Sequence, residues 1–432
     1  MVDKASSQRK KLFINRDFCL LFWGRLVSQI GDGIHYFALT WLVLDLTGSG
    51  TALGTVLLAS SLPSVLLAPF TGVLADMWNR KAIVVLTDVI RGLILLTLGG
   101  IYYLGKLNMS ILYLATVILS LCGVLFGPAI SASIPGIVKR ENLVRANALN
   151  SFSRSATGII GPVAGAFVLG TTGYIGVFCL TGVAFIMSAI SEMFIRFPKQ
   201  TAIISEQKPL QQFAANFKLG LTYIWQSVGL KTVISFAVLL NFIATPIFSV
   251  VFPYFGKEVL LMEAQHYGLT QSSFPVGLLL GTVLIGFFTK HISKERLLVW
   301  GIIGQGIMAF LISLVALPYV YLNSSQLFII LSLVIPNFFI GILNVCVNVP
   351  FSVTLQEQVP DQYRGRVFGL LDSLVQMLVP ISTALFGVLV DIIAPFYFLL
   401  LCSIALVGIG FAMVGSKGIR ELYQTSALET SA

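Results

Sequence analysis

The chain has 432 residues, of which 56% are hydrophobic and only 10% are charged, and its mean hydropathy is +0.92. Soluble domains hold roughly 45–50% apolar and about 25% charged residues, so the composition excludes a soluble enzyme, a disordered tail and a secreted disulfide scaffold. The net charge of +9 would suggest a nucleic-acid partner in a soluble protein. In an apolar chain, an excess of cations in the loops on one side of a membrane is the better explanation, and we expect no nucleic acid to bind.

Twelve apolar runs follow one another along the chain, each close to the roughly 20 residues that a transmembrane helix needs. The runs cover residues 18–44, 52–75, 82–104, 110–138, 146–169, 173–196, 232–255, 267–289, 297–318, 326–350, 366–390 and 394–415. Transmembrane strands would be about 10 residues long with strict alternation. We therefore predict an all-α integral membrane protein with 12 transmembrane helices.

The most polar stretch between these runs divides the chain into two sets of six. The predicted organisation is a cytoplasmic tail at 1–17, an N-terminal six-helix bundle at 18–196, a cytoplasmic linker at 197–231, a C-terminal six-helix bundle at 232–415 and a second cytoplasmic tail at 416–432. In the linker, Phe213, Phe217, Leu221 and Ile224 recur at helical spacing. This spacing predicts an amphipathic helix that lies on the membrane surface.

The lysines and arginines are distributed very unevenly between the loops. With loops assigned alternately to two sides, 22 of the 27 cations fall on the side of both tails, two fall on the other side, and three lie inside spans. The two are Lys106 and Lys257. By the positive-inside rule, both termini are predicted to be cytoplasmic, in a plasma or bacterial inner membrane.

Three short motifs give the chain a resemblance to a known family. Residues 72–81 read Gly-Val-Leu-Ala-Asp-Met-Trp-Asn-Arg-Lys, a related segment begins 214 residues later at Gly286, and residues 161–165 read Gly-Pro-Val-Ala-Gly. Over about residues 15–415 the chain resembles the major facilitator superfamily, whose fold consists of two parallel six-helix repeats. The resemblance implies a gate formed by Asp76, Arg80 and Lys81. Asn79 replaces a glycine of the motif, and we expect it to tolerate a left-handed conformation.

Within that superfamily, residues 24–32, Gly-Arg-Leu-Val-Ser-Gln-Ile-Gly-Asp, are similar to the first span of bacterial macrolide, drug and siderophore exporters. A Gly-Asp at this place also occurs in lysophospholipid transporters. The sequence lacks a phosphate-binding loop, an HExxH motif and a cysteine–histidine cluster, so we expect neither an enzyme, nor a metal, nor a cofactor.

Charged side chains inside an apolar span are expensive and therefore mark functional sites. Arg25, Gln29, Asp32 and Tyr36 follow helical spacing and share one face of the first span, with His35 beside them. Asp32 lies near mid-span, and a carboxyl that can load and release a proton is what secondary antiport requires. We predict a proton-coupling group at Asp32, with Arg25 and His35 as its neighbours. A structural aspartate, held neutral or paired with Arg25, is the alternative.

Further intramembrane charges lie near the predicted cytoplasmic ends of the spans. Asp88 and Arg91 are three residues apart and can pair directly, while Arg154 and Asp372 occupy equivalent positions in the two repeats. With Asp76, Arg80 and Lys81, they form a predicted gating network. Static pairing between helices is the competing interpretation.

Amide and aromatic side chains indicate a substrate cavity. Asn337, Asn344 and Asn348 form a polar stripe on the tenth span, and Asn241 and Phe248 lie on the seventh. By resemblance these spans line a central cavity, together with Gln29 and Tyr36 of the first span. Such a wall suits an amphipathic ligand, although hydrogen bonds between helices would also explain it.

The sequence thus predicts a monomeric, proton-coupled exporter of hydrophobic or amphipathic small molecules in a lipid bilayer. A lysophospholipid transporter and a siderophore exporter are the alternatives, and a non-transporting receptor or scaffold is the remaining one.

Overall fold

The computed structural model describes residues 14–197 and 209–420, and these form helices and short connections without a β-strand. Within this part, side chains are undescribed at residues 68–70, 72–77, 209–216, 361, 362, 365, 366 and 372. Of the predicted site residues, Asp76 and Asp372 therefore lie outside the described side chains.

Fifteen α-helices span the described residues. They are α1 (Arg16–Thr47), α2 (Gly50–Met77), α3 (Arg80–Tyr103), α4 (Met109–Ile137), α5 (Leu143–Met193), α6 (Pro209–Gln226), α7 (Val228–Pro246), α8 (Phe252–Tyr254), α9 (Ala264–His291), α10 (Lys294–Val315), α11 (Pro318–Asn323), α12 (Gln326–Gln358), α13 (Asp361–Met377), α14 (Val379–Ile392) and α15 (Pro395–Gly415). Two π-helical turns, Ile247–Val251 and Phe255–Val259, flank α8 and continue the seventh span.

Ten helical segments of the described chain are long and apolar enough to cross a membrane. α1 is not one of them, because polar residues such as Gln29, Asp32 and His35 dilute its apolar composition. α5 counts once but is 51 residues long and breaks at Gly173, where φ is +66°. A positive φ is readily adopted only by glycine, so this residue ends one crossing and begins the next. Counting α1 and both arms of α5 gives twelve spans, which confirms the predicted multi-pass, all-helical fold.

The chain divides into two compact units. Unit 1 comprises Met1–Tyr36, Leu67–Gly161 and Thr172–Ile204, and unit 2 comprises Phe37–Leu66, Pro162–Thr171 and Ser205–Ala432. Both units contain parts of α1, α2 and α5: α1 and α2 contribute one segment to each unit, whereas α5 contributes two segments to unit 1 and residues 162–171 to unit 2. The two bundles at 18–196 and 232–415 remain a prediction.

The linker contains a helix, α6, and the described part of its apolar face packs against protein. Phe213 lies outside the described side chains, and the location of the helix on the membrane surface remains a prediction. Ile224 is 1% exposed within an apolar cluster of unit 2 that includes Leu355 and Val359, and Phe217 and Leu221 pack against the same cluster. These side chains are removed from water by contact with protein, which stabilises an apolar stripe as effectively as contact with lipid would.

The loop between α2 and α3 also departs from the expectation. Asn79 has φ −62° and ψ 110°, which is extended and not left-handed. Its side chain accepts hydrogen bonds from the backbone N–H groups of Lys81 and Ala82, at 3.0 and 3.3 Å. Asn79 is therefore the N-cap of α3, and the capping bond explains why asparagine serves where the motif has glycine.

Candidate functional site

A buried ion-pair cluster lies in unit 1, where α1 and α3 meet. Arg91 Nη1 lies 3.4 Å from Asp32 Oδ2 and 3.8 Å from Asp88 Oδ1. Asp88 is completely buried and Arg91 nearly so, whereas 53% of the Asp32 side chain is exposed. One guanidinium thus joins an accessible carboxyl to an inaccessible one.

The position of Arg91 is fixed by aromatic rings and by a glycine. Its guanidinium carbon lies 5.4 Å from the ring centroid of Phe126 and 5.3 Å from that of Phe185, within the range of cation–π attraction. A Cβ at Gly123 on α4 would lie 2.6 Å from Arg91 Nη2, so a larger residue there would require the guanidinium to shift. The packing around Arg91 therefore favours one location for its charge.

Glu192, in the second arm of α5, is a member of this cluster that the sequence reasoning missed. It is completely buried, and its Oε1 accepts a hydrogen bond from Ser188 Oγ at 3.4 Å. Asp88 Oδ2 accepts from Ser28 Oγ at 2.7 Å. The available signal is a lone acid inside the predicted span 173–196, four residues before Arg196.

The other predicted neighbours of Asp32 do not contact its carboxyl in this way. Arg25 is 9% exposed and forms no ion pair with Asp32; within the described chain its Nε and Nη1 have no hydrogen-bond partner. The Arg25–Asp32 pairing of the alternative interpretation is therefore not formed, and Asp32 pairs with Arg91 instead. His35 is packed with its ring centroid 6.4 Å from that of Phe178.

Close packing of α1 on α5 explains the position of Gln29. A Cβ at Gly33 would lie 2.8 Å from the Cα of Gly161, so the two backbones are in contact. This approach brings Ser153 Oγ within 2.7 Å of Gln29 Oε1, to which it donates a hydrogen bond. The Gln29 side chain thus links α1 to α5 by a hydrogen bond, whereas 46% of the surface of Tyr36 is exposed.

The predicted gating cations form capping contacts in unit 1. Arg80 Nη1 donates to the carbonyl of Ala132 at 2.8 Å, and Lys81 Nζ donates to the carbonyls of Met193 and Ile195 at 2.6 and 3.1 Å. Cations at the carboxyl end of a helix are favoured by its dipole. Arg154 is exposed and lies near enough to Arg25 to repel it electrostatically.

A cavity of about 300 Å³ lies wholly within unit 2, between α7, α10, α12, α13 and α15. Its polar lining consists of four amide side chains, those of Asn241, Gln305, Asn344 and Asn348. Asn348 Nδ2 donates to Asn344 Oδ1 at 2.7 Å. The remaining lining is apolar and includes Phe236 and Phe351, and no charged residue is among the lining residues.

Two other predicted cavity residues lie elsewhere in unit 2. Asn337 is 2% exposed, and its Nδ2 donates to the carbonyl of Thr270 at 2.8 Å, so it joins α12 to α9. Phe248 packs between Phe252 and Phe274, with ring centroids 5.5 and 5.4 Å away. Neither residue lines the cavity, because Asn337 bonds to α9 and Phe248 packs against Phe252 and Phe274.

A second polar contact in unit 2, which we call the α2–α14 clasp, consists of Asp391 and the first residues of α2. Asp391 accepts hydrogen bonds from Ser49 Oγ at 2.7 Å, from the Gly50 N–H at 2.7 Å and from the Thr51 N–H at 2.9 Å. A carboxylate of α14 thus occupies the N-terminus of α2, where the helix dipole favours an anion. Nearby, Lys257 pairs with Asp45 and lies 4.8 Å from the ring centroid of Trp41.

The described residues thus provide an uncharged cavity and a helix-terminal clasp in unit 2 and an ion-pair cluster in unit 1. The described residues contain no group of three or more His, Cys, Asp or Glu side chains that could hold a metal ion. The chemistry available at the cluster is proton binding and charge pairing.

Comparisons with known proteins show that the chain is similar to bacterial efflux proteins. The chain is 24% identical to macrolide efflux protein A of Streptococcus pyogenes over 410 residues, which cover 94% of this chain and 97% of that protein. It is 23% identical to the multidrug efflux pump Tap of Mycolicibacterium fortuitum over 420 residues, which cover 93% and 96% of the two chains.

Solved structures share the fold at low identity. The inward-facing crystal structure of a bacterial homologue of the iron transporter ferroportin matches with a TM-score of 0.69 at 16% identity, over 92% of this chain and 98% of that chain. The nucleoside transporter NupG matches with a TM-score of 0.69 at 14% identity, over 92% and 98%. The sequence family described as Major Facilitator Superfamily matches residues 21–383. The chain is therefore a multi-pass membrane transporter that belongs to the major facilitator superfamily.

Proposed function

We propose that this transporter exports hydrophobic or amphipathic small molecules, macrolide- or drug-like in their chemistry, in exchange for protons. The observation that carries the proposal is the cavity of unit 2, which combines four amides with aromatic and aliphatic walls. Its volume of about 300 Å³ is at the lower end of the range for small-molecule sites. The names of the efflux relatives support the direction and the substrate class.

The lining of the cavity argues for a weakly charged substrate. A phosphate or another multivalent anion would require cations for its recognition, and none of the residues that line this cavity is Lys, Arg or His. Amides can donate to and accept from hydroxyl, ether and carbonyl groups alike. The site would therefore hold an amphipathic molecule by a few hydrogen bonds and by apolar contact.

Asp32 supports the coupling to protons. Its carboxyl is half exposed and shares Arg91 with Asp88, so a proton taken up by Asp32 would release Arg91 to Asp88 alone. Such a change in pairing gives the two protonation states different preferred arrangements, which is what alternating access needs in order to be driven by a proton gradient. Both termini would be cytoplasmic in a bacterial inner membrane, and the protein would act as a monomer.

The experiment is transport in proteoliposomes under an imposed pH gradient. A panel of erythromycin, a cationic dye, a siderophore and a lysophospholipid is compared, with collapse of the gradient as the internal control. We expect proton-driven accumulation of erythromycin or the dye. Accumulation of the lysophospholipid or siderophore alone would replace the proposed substrate class, and equal distribution of every compound would contradict coupled transport.

A paired substitution tests the cavity itself. Asn344→Ala removes an amide that both lines the cavity and accepts from Asn348, and one lost hydrogen bond of about 0.5–1.5 kcal/mol would weaken the apparent affinity roughly 2- to 12-fold. Asn323→Ala is the matched control, because this exposed amide donates, within its own helix, to the carbonyl of Tyr319 and does not line the cavity. Equal affinities in the two variants would argue against the cavity as the binding site.

A further inference from the structure

The second copy of the loop motif carries a charge opposite to that of the first. It begins at Gly286, 214 residues after Gly72, and this offset places Lys290 where the first copy has Asp76. A lysine cannot supply the acid of the gate that the resemblance implies for the first copy. The segment lies where α9 ends and α10 begins, and the proposed export mechanism gives it no role.

A groove of about 240 Å³ lies beside this connection, within unit 2. Residues of three helices line it. They include Phe288 and Ile292 at the end of α9, Arg296 and Trp300 on α10, and Leu343 and Cys346 near the middle of α12. The groove therefore extends from the α9–α10 connection toward the middle of the bundle.

Glycines hold both α9 and α10 against α12. A Cβ at Gly281 would lie 3.0 Å from the Cα of Ile342, and a Cβ at Gly301 would lie 3.1 Å from the carbonyl oxygen of Leu343. Both helices thus approach the α12 backbone closely, and α12 contributes the surface between them. The shape of the groove is fixed by backbone contacts and not by the rotamers of long side chains.

The groove opens at an apolar surface of membrane-spanning helices. α9, α10 and α12 are each long and apolar enough to cross a membrane, while Trp300 is 62% exposed and Ile292 is 38% exposed. Arg296 is the one charged residue among those that line the groove. Lipid tails are as apolar as leucine side chains, and an acyl chain supplies the dispersion contacts that such walls require. The groove therefore suits an acyl chain better than water.

Two cations lie at the same end of the groove. Lys290 is in the last turn of α9 and Arg296 is in the first turn of α10, and both are exposed. Within the described part of the chain, neither has an ion-pair partner. Of the neighbouring acids, Glu357 pairs with Lys294 at 2.6 Å, and Glu295 does not line the groove. The charge offered to a ligand at this end is therefore positive.

We propose that the groove between α9 and α10 binds an anionic phospholipid, with one acyl chain against α12 and the phosphate group at Arg296 and Lys290. An arginine fork matches the oxygens of a phosphate. The cations belong to the loops that are predicted to be cytoplasmic, so the lipid would come from the cytoplasmic leaflet, where anionic headgroups attract such residues. This lipid stays bound and is not the exported substrate, so the inference goes beyond the proposed function and does not depend on it.

Native mass spectrometry of the detergent-solubilised protein measures the first bound lipid. Phosphatidylglycerol and phosphatidylcholine with identical chains are titrated onto the wild type, Arg296→Ala and Lys231→Ala. Lys231 is the matched control, an exposed cation of unit 2 on the same predicted side that does not line the groove.

We expect the wild type to prefer phosphatidylglycerol. One cation near a headgroup changes the affinity about fivefold, so Arg296→Ala should weaken phosphatidylglycerol binding by about that factor and leave phosphatidylcholine binding nearly unchanged. Lys231→Ala should behave as the wild type. Equal losses in the two variants would show a diffuse attraction to the net positive charge and would overturn the site.

Brominated lipids test the position of the acyl chain, because bromine quenches the fluorescence of a tryptophan that it contacts. The protein is reconstituted in equal mixtures of phosphatidylglycerol and phosphatidylcholine, of which one or the other is brominated. We expect stronger quenching by brominated phosphatidylglycerol, and we expect Trp300→Phe to abolish this excess. Trp225→Phe, at a residue of α6 that is 64% exposed, should retain it. An excess that survives in Trp300→Phe would overturn the placement in the groove.

Lys290→Ala keeps the test decisive if Arg296→Ala does not fold. Lys290 is exposed at the end of α9, so its truncation removes charge without opening a core. We expect a loss of phosphatidylglycerol affinity of about fivefold here as well. An unchanged affinity in Lys290→Ala would contradict the proposed position of the phosphate.

Discussion

The contact between α2 and α14 provides the sharpest steric test of the structure. A Cβ at Gly387 would lie 2.4 Å from the carbonyl oxygen of Gly50 and 3.0 Å from the Cα of Gly54. Both atoms belong to backbone, so no side-chain rotation can relieve the clash. Gly387→Ala must therefore push the two helices apart by roughly 1 Å to reach ordinary van der Waals distance.

The size of the effect follows from the packing and from the clasp beside it. Overpacking of a tight contact costs about 1–3 kcal/mol, which shifts an equilibrium between joined and separated helices roughly 5- to 150-fold. Separation also lengthens the hydrogen bonds from Asp391 to the N-terminus of α2, which are 2.7–2.9 Å long. The steric overlap at residue 387 and the weakened hydrogen bonds of Asp391 both favour the separated arrangement of α2 and α14.

Thiol labelling measures this separation. Val390 is 2% exposed and touches the position of Gly50, so a Val390→Cys reporter in a cysteine-free background reacts only when the contact opens. We expect Gly387→Ala to accelerate the labelling within the range above. Gly408→Ala is the matched control, because a Cβ at Gly408 meets no atom within 4 Å. Equal labelling rates in the two variants would refute the reasoning.

Two further predictions concern topology and coupling. A membrane-impermeant maleimide should label Lys106→Cys in intact cells but not Lys139→Cys. The reason is that the loops with these two residues are predicted to lie on opposite sides of the membrane. Labelling of position 139 from outside would contradict the predicted orientation. Asp32→Asn mimics a permanently protonated carboxyl. This variant should retain substrate exchange, lose substrate accumulation against a gradient and show a flatter pH dependence of transport. Uphill efflux with the wild-type pH dependence would indicate that Asp32 has a structural role only.

The sequence predicted the fold because the features that determine it are local or cumulative. Apolar runs of span length and one-sided cations are read directly from the chain, and twelve spans follow from them. The break in α5 illustrates this reasoning, because it falls at Gly173, where the predicted spans 146–169 and 173–196 meet. Gly170, Thr171, Thr172 and Gly173 interrupt the apolar run there.

The site was predicted only where its partners are close in sequence. Asp88 and Arg91 are three residues apart, and helical periodicity alone brings them together. Arg91 and Asp32 are 59 residues apart, and their contact depends on the room left by Gly123 and on the two rings that hold the guanidinium. Sequence reasoning therefore offered, as the alternative partner of Asp32, the nearest cation on its own helix, which was Arg25.

The cavity and the linker show the same limit in another form. Helical spacing places Asn337, Asn344 and Asn348 on one stripe, yet a helix of 33 residues passes different neighbours along its length. Asn344 and Asn348 reach the cavity, whereas Asn337 meets the carbonyl of Thr270 on α9. A periodic pattern predicts which residues share a face but not what each part of that face contacts.

The packing of α6 can be tested against the membrane-surface alternative by stability. Ile224 is 1% exposed, and truncating such a residue costs about 2–5 kcal/mol when its neighbours are protein. On a helix that merely lies in the lipid interface, the same change would weaken membrane contact but leave the unfolding of the detergent-solubilised bundle unaffected.

Ile224→Ala should therefore lower the thermal unfolding midpoint in detergent by several degrees, while Leu219→Ala, at a position of the same helix that is 49% exposed, should leave it nearly unchanged. Tyr223 stacks on Tyr363 at 4.9 Å between ring centroids and belongs to the same interface, so Tyr223→Ala should act in the same direction. An unfolding midpoint of Ile224→Ala equal to that of Leu219→Ala would favour the interpretation that α6 lies on the membrane surface. The reverse result makes the linker helix a structural part of unit 2, because the face that the sequence offers to lipid is already covered by protein.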